Sequence, residues 1–78
     1  MCATRKVRIN NEDELRTFVN LTNSFKSSID IGNGNHIVDA KSVLGIYALG
    51  LSNYLEATIL STDEDEVVRF YNEMERYK

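Results

Sequence analysis

The sequence predicts an α+β fold: an open-faced βαββαβα sandwich, with a four-stranded antiparallel sheet and three helices on one of its faces. Three observations predict it. Short stretches in which apolar and polar residues alternate read as strands with one dry face and one wet face. Longer stretches carry apolar residues every three or four positions, each headed by a residue that caps helices. Gly, Asn, Asp and Ser stand at the junctions, and because the chain has no proline the turns must be built from them.

The first strand is expected over residues 4–9, with Val7 and Ile9 on its inner face and Lys6 and Arg8 on the other. Asn11 then offers a helix cap. Asn11 and Glu14 form a near match to a capping box, and Glu12, Asp13 and Glu14 place negative charge in the positive first turn. Leu15, Phe18, Val19, Thr22 and Phe25 follow at helical spacing as one mostly apolar stripe.

Ile29 and Ile31 alternate with Ser28 and Asp30 as a short second strand, and Gly32-Asn33-Gly34-Asn35 supplies a tight turn. Residues 36–40 return as the third strand with Val38 and Ala40 inward. Ser42 caps a short helix over 43–49 that Gly50 ends. Leu55, Ala57 and Ile59 alternate as the fourth strand. Thr62 or Asp63 caps the last helix, whose first turn is acidic and whose end carries Arg76 and Lys78, as the dipole prefers. Val67, Phe70, Tyr71, Met74 and Tyr77 form its inward stripe.

Composition bounds what such a fold can do. Seventy-eight residues make one domain, 1–78, with one modest core. The net charge of −3 argues against a nucleic-acid partner, so the early basic residues Arg5, Lys6 and Arg8 read as a solvated strand face. The single cysteine, Cys2, expected at a frayed terminus, excludes an internal disulfide and a cysteine metal site. No apolar run is long enough to cross a membrane and no leader pattern is present, so no membrane insertion is expected and the cytoplasm is the default location.

The middle of the chain is the most specific part. Phe25-Lys26-Ser27-Ser28-Ile29 leads through the hairpin into Val38-Asp39-Ala40-Lys41-Ser42-Val43-Leu44-Gly45-Ile46-Tyr47-Ala48-Leu49-Gly50. This closely resembles the regulatory segment of the HPr family, the phosphocarriers of the bacterial phosphoenolpyruvate-dependent sugar phosphotransferase system. In that family a Lys-Ser pair opens a short helix and a Gly follows three residues later. Asp63-Glu64-Asp65-Glu66 is similar to the family's acidic opening of the last helix, and the likeness runs without an obvious gap over about residues 6–74. The resemblance implies the same βαββαβα order that the periodicity gives.

The chain also departs from the family. HPr proteins carry a phosphorylated histidine at the start of the first helix, followed by Ala, Arg and Pro. In register, Asn11 stands at that histidine, Asp13 at the arginine and Glu14 at the proline. A carboxamide has no basic nitrogen to take and pass on a phosphoryl group. The carboxylates would repel one by about 4 kcal/mol per contact at ~4 Å and an effective dielectric near 20. No catalytic residue, no cofactor and no metal site are therefore expected, and the chain is read as not an enzyme. The acidic run 63–66 lacks the alternation and central glycine of a calcium loop, and reads as capping and solubility.

The resemblance places a regulatory phosphorylation site at Ser42, whose plain structural role is a helix cap. It also makes Val43, Leu44 and Tyr47 a partner-docking face, against the alternative that Leu44 and Tyr47 are core. The leading expectation is a non-catalytic regulatory or interaction module. Its partners would be protein components of the phosphotransferase system, a serine kinase or a transcription factor. The alternatives are a phosphocarrier that uses its only histidine, His36, or a drifted paralogue without phosphotransfer.

Overall fold

Alternation along the strands decides which face of the sheet is covered. The computed structural model describes residues 2–78. Its elements are β1 (Cys2–Arg8), α1 (Glu12–Asn23), β2 (Ser28–Gly32), β3 (Ile37–Asp39), α2 (Val43–Leu49), β4 (Tyr54–Leu60) and α3 (Glu64–Glu73), followed by a 3-10 turn (Met74–Tyr77). The sheet order is β1-β4-β2-β3 and every neighbouring pair is antiparallel. Val7, Ile29, Ile31, Leu55, Ala57 and Ile59 project from one face into the core. Leu15, Phe18 and Val19 of α1 and Val67 and Phe70 of α3 meet them. Two edge-to-face aromatic pairs tie this layer together: Phe18 with Tyr77 at 5.1 Å between centroids, and Phe25 with Phe70 at 6.3 Å.

The βαββαβα sandwich holds as expected, and four details differ. β1 starts at Cys2, which pairs with Leu60 rather than fraying, while Ile9 is buried just past the strand end. β3 is only three residues long. His36 lies in the exposed turn before it, where its carbonyl accepts from the Asn33 amide at 3.2 Å and so closes the hairpin, and Ala40 lies in the turn after it. α3 stops at Glu73, so Arg76 sits in the 3-10 turn and the helix has no basic last turn. Tyr71 is exposed, not part of the inward stripe: its ring lies under the Arg5 guanidinium, 4.1 Å from centroid to Cζ, beside the Arg5–Glu75 ion pair of 2.9 Å.

The acidic start of α3 does more than cap. Asp63 Oδ1 accepts from the amides of Asp65 and Glu66, the expected cap. Glu66 instead reaches across to the segment between α1 and β2. It accepts from the amides of Lys26 (3.0 Å) and Ser27 (2.9 Å) and from the Ser27 hydroxyl. These donors, the Ser27 hydroxyl foremost, hold its carboxyl below the usual carboxylate range. The carboxylate thus satisfies backbone amides at a corner where β pairing has not yet begun.

Candidate functional site

α1 and α2 start close to one another, and each start is built by one polar side chain. Asn11 has extended backbone geometry, and its Oδ1 accepts from the Glu14 amide at 2.9 Å. Glu14 completes a variant of the capping box: its Oε1 accepts from the amide of Asn10, one residue before the cap, rather than from Asn11 itself. The chain leading into α1 is braced by the segment after α2, where Ser52 donates its amide to the Ile9 carbonyl (2.7 Å) and its hydroxyl to that of Asn10 (3.2 Å). Ser52 adopts φ +70°, a left-handed conformation that these two bonds hold in place. Glu12 and Asp13 remain exposed and make no ion pair among the described residues.

At α2, Ser42 is half-buried and its Oγ accepts from the Gly45 amide at 3.0 Å. The first turn of α2 carries no acid. The lead-in to Ser42 is fixed from three sides. The Thr22 hydroxyl donates to the Ala40 carbonyl (2.8 Å), the Lys41 ammonium to that of Phe25 (2.9 Å), and the Lys41 amide to Asp39 Oδ1 (2.9 Å). Gly45 lies so close to β3 that a Cβ there would sit 3.2 Å from both Val38 Cβ and the Ser42 oxygen. At its far end Gly50, at φ +97°, turns the chain away.

Only Ile46 of α2 is buried. Val43, Leu44 and Tyr47 stand out at 44, 80 and 56 % exposure. They are surface, not core, because a two-turn helix lying on β3 and beside α1 has a single inward position per turn. Val43 and Tyr47 form one wall of a shallow groove of about 210 Å³ whose other wall is Glu12, Leu15 and Arg16 of α1. The groove therefore joins an apolar side to a wall that carries one acid, Glu12, and one base, Arg16. His36 lies in the exposed hairpin turn, outside this groove. Among the described residues no three side chains of the metal-ligating types gather into a metal site.

This geometry meets a family pattern. The family model PTS-HPr, described as "PTS HPr component phosphorylation site", matches residues 3–70. The chain belongs to the HPr family. Its fold is similar to that of HPr-C-His from Thermoanaerobacter tengcongensis, at TM-score 0.74 and 26 % identity over 96 % of this chain and 91 % of that one. It is also similar to the phosphocarrier protein HPr from Bacillus anthracis str. Ames, at TM-score 0.74 and 21 % identity over 99 % and 98 % of the two chains. No curated protein matches the chain by sequence. HPr proteins are phosphocarriers of the phosphotransferase system that work through other proteins of that system and are not themselves catalysts. In this member no helix among the described residues is long and apolar enough to cross a membrane.

Sequence reasoning missed one contributor to the site, Ser52, and one brace outside it, Glu66. Both act through backbone groups distant in sequence, and nothing local marks them. A polar residue between Leu51 and Asn53 is the only hint that the segment after α2 has a bonding role.

Proposed function

We propose that this protein is a histidine-less HPr-family module that works by docking partners rather than by carrying phosphate. Asn11 takes the place of the family's phosphorylated histidine, and Asp13 that of the arginine. Docking runs through Val43, Leu44 and Tyr47, under the control of phosphorylation at Ser42. The observation that carries this reading is the contrast between the two helix starts. α1 has a capping amide, three acids and no imidazole, whereas α2 has a hydroxyl, no acid and an exposed apolar face.

A phosphoryl group at α1 would face the carboxylates of Glu12 and Asp13. A phosphate on Ser42 would meet free amides and the positive end of the α2 dipole. It would also add charge next to the apolar face, which is how a modification there would alter docking. Partners on this reading are phosphotransferase-system proteins, a serine kinase or a transcription factor, and the setting is the cytoplasm.

The test is labelling by two routes. Phosphoenolpyruvate with the pathway's first enzyme should leave no acid-labile label. ATP with a serine kinase that acts on HPr proteins should give near-stoichiometric acid-stable label, lost in Ser42→Ala. Acid-labile label that vanishes in His36→Ala would replace this reading with phosphotransfer through His36, whose exposure on the hairpin turn leaves it accessible. Absence of both labels would remove the regulatory reading.

A further inference from the structure

We infer that Lys41 is a positioning residue for Ser42. Its ammonium, turned inward onto the Phe25 carbonyl, holds the lead-in of α2 so that the Ser42 hydroxyl is set for phosphorylation, and it is not a charge that the modifying enzyme reads. This rests on the reading of Ser42 as a phosphorylation site and deepens it. A lysine directly before a modified serine is the first suspect for recognition, so the two roles have to be separated.

α2 gets little hold from its own side chains, since only Ile46 is buried. Residues 40–42 set its place instead, and each of their backbone amides and carbonyls is bonded. The Ala40 amide donates to the Ile29 carbonyl (2.8 Å), the Ser42 amide to that of Asp39 (3.0 Å), and the Ser42 carbonyl accepts from Ile46 (3.1 Å). The Lys41 amide donates to Asp39 Oδ1. The Ala40 carbonyl accepts from the Thr22 hydroxyl (2.8 Å) and the Lys41 carbonyl from Asn23 Nδ2 (3.3 Å), which ties the lead-in to the end of α1. Lys41 adds the one charged tie, 2.9 Å to the Phe25 carbonyl. Its side chain is half-buried and makes no ion pair among the described residues. α1 has no basic residue in its last turn, and Phe25 lies just past that end, so Lys41 brings from elsewhere the cation that a helix C-terminus favours.

The tolerance at Ser42 is small. Its Oγ accepts from the Gly45 amide at 3.0 Å, and a Cβ on Gly45 would lie 3.2 Å from both that oxygen and Val38 Cβ. The first turn of α2 is thus wedged against β3, and a shifted lead-in carries the oxygen off its cap or into that turn. In the phosphorylation, the Ser42 oxygen bonds to the γ-phosphorus of ATP and the bond from that phosphorus to the β–γ bridging oxygen breaks. ADP leaves, and the hydroxyl proton passes to a base on the kinase. Preset placement of the attacking oxygen governs the rate of the bound step, kcat, whereas a recognised charge governs binding, KM.

Steady-state phosphorylation of the folded chain by ATP and a serine kinase that acts on HPr proteins, together with amide exchange at Gly45, tests this. Lys41→Met keeps the apolar stem and removes donor and charge. It should lower kcat about tenfold at unchanged KM and speed exchange at Gly45 by a similar factor. Lys41→Arg, which retains the donor, should recover both. Thr22→Val changes no charge but removes the tie at Ala40, so it should reproduce the Lys41→Met pattern, and it stands in for that variant if Lys41→Met does not fold. A raised KM with kcat kept in Lys41→Met would mean that the charge is read, and overturns the inference. So does exchange at Gly45 as slow in Lys41→Met as in wild type, or a Thr22→Val protein that behaves as wild type in both measurements. A wild type that takes no label fails the reading of Ser42 itself, and exchange at Gly45 then decides whether Lys41 sets the hydroxyl.

Discussion

Asn11 and Ser42 do the same work at the heads of α1 and α2: each accepts from the amide three residues on, at about the same distance. The helices they start differ in charge and in anchorage. α1 has acids at all three of its first positions and buries Leu15, Phe18, Val19 and Thr22. α2 has no acid in its first turn and buries only Ile46. Position on the fold therefore does not set chemistry by itself. The same capping geometry faces a repulsive surface in one helix and a permissive one in the other, and the permissive one belongs to the less anchored element. Elements with few buried contacts are those that open or rearrange most readily.

The strongest challenge to this contrast is to reverse the charge at α1. Asn11→His alone should remain unlabelled by the phosphoenolpyruvate route, and the triple variant Asn11→His, Asp13→Arg, Glu14→Pro should be needed. One carboxylate contact at ~4 Å is worth about 4 kcal/mol at an effective dielectric near 20, or roughly a thousandfold in rate. Robust labelling of the single variant would show that solvent screens the acidic turn far better than that.

The difference in anchorage is tested next. Ile46→Ala should lower stability by about 2–5 kcal/mol, with loss of amide-exchange protection strongest in α2 and its lead-in rather than in α1. Uniform loss of protection would mean that α2 is as integral as α1.

The caps come third. Ser42→Ala should cost about 1 kcal/mol in a thermal melt, while Ser42→Asp should retain most of the stability because Asp caps well and its charge suits the dipole. Equal losses in the two variants would show that Ser42 contributes packing rather than a cap. Asn11→Ala should also cost about 1 kcal/mol.

The smallest effect concerns the engaged acid of α3. Glu66 has a carboxyl held below its ordinary value of 4.5 in the folded state, so its ionised form stabilises the fold. That stability is complete above about pH 4.5 and is lost as pH falls through the lower folded value. Glu66→Gln should therefore flatten the acid limb of a stability–pH curve. Parallel curves for Glu66→Gln and wild type would show that the three hydrogen bonds at Ser27 and Lys26 do not favour the charged form.

Most of the architecture was legible because period and burial coincide. Val7, Ile29, Ile31, Leu55, Ala57 and Ile59 alternate as read and are all buried. The exposure of Leu44 was legible on the family likeness more than on pattern, since an apolar run of seven residues cannot itself say which side faces out. Tyr71 was misplaced for a related reason. It sits one position from Phe70 on the edge of the helical stripe, and only the Arg5 side chain from a distant strand decides that it stays outside. Glu66 was misread as a solvated acid because its partners lie about forty residues earlier. His36 was misplaced because the hairpin turn is longer than its Gly-Asn-Gly-Asn core suggests.

The register of β1 has a consequence for how the molecule comes together. Its only ladder partner is β4, so Cys2 must wait for Leu60, whereas β2 and β3 find each other across a short turn. Closing that long loop costs entropy before the ladder returns any gain. The β2–β3 hairpin with α1 is then the natural early structure, and a chain shortened before residue 54 would hold the groove's residues without the sheet that aligns them.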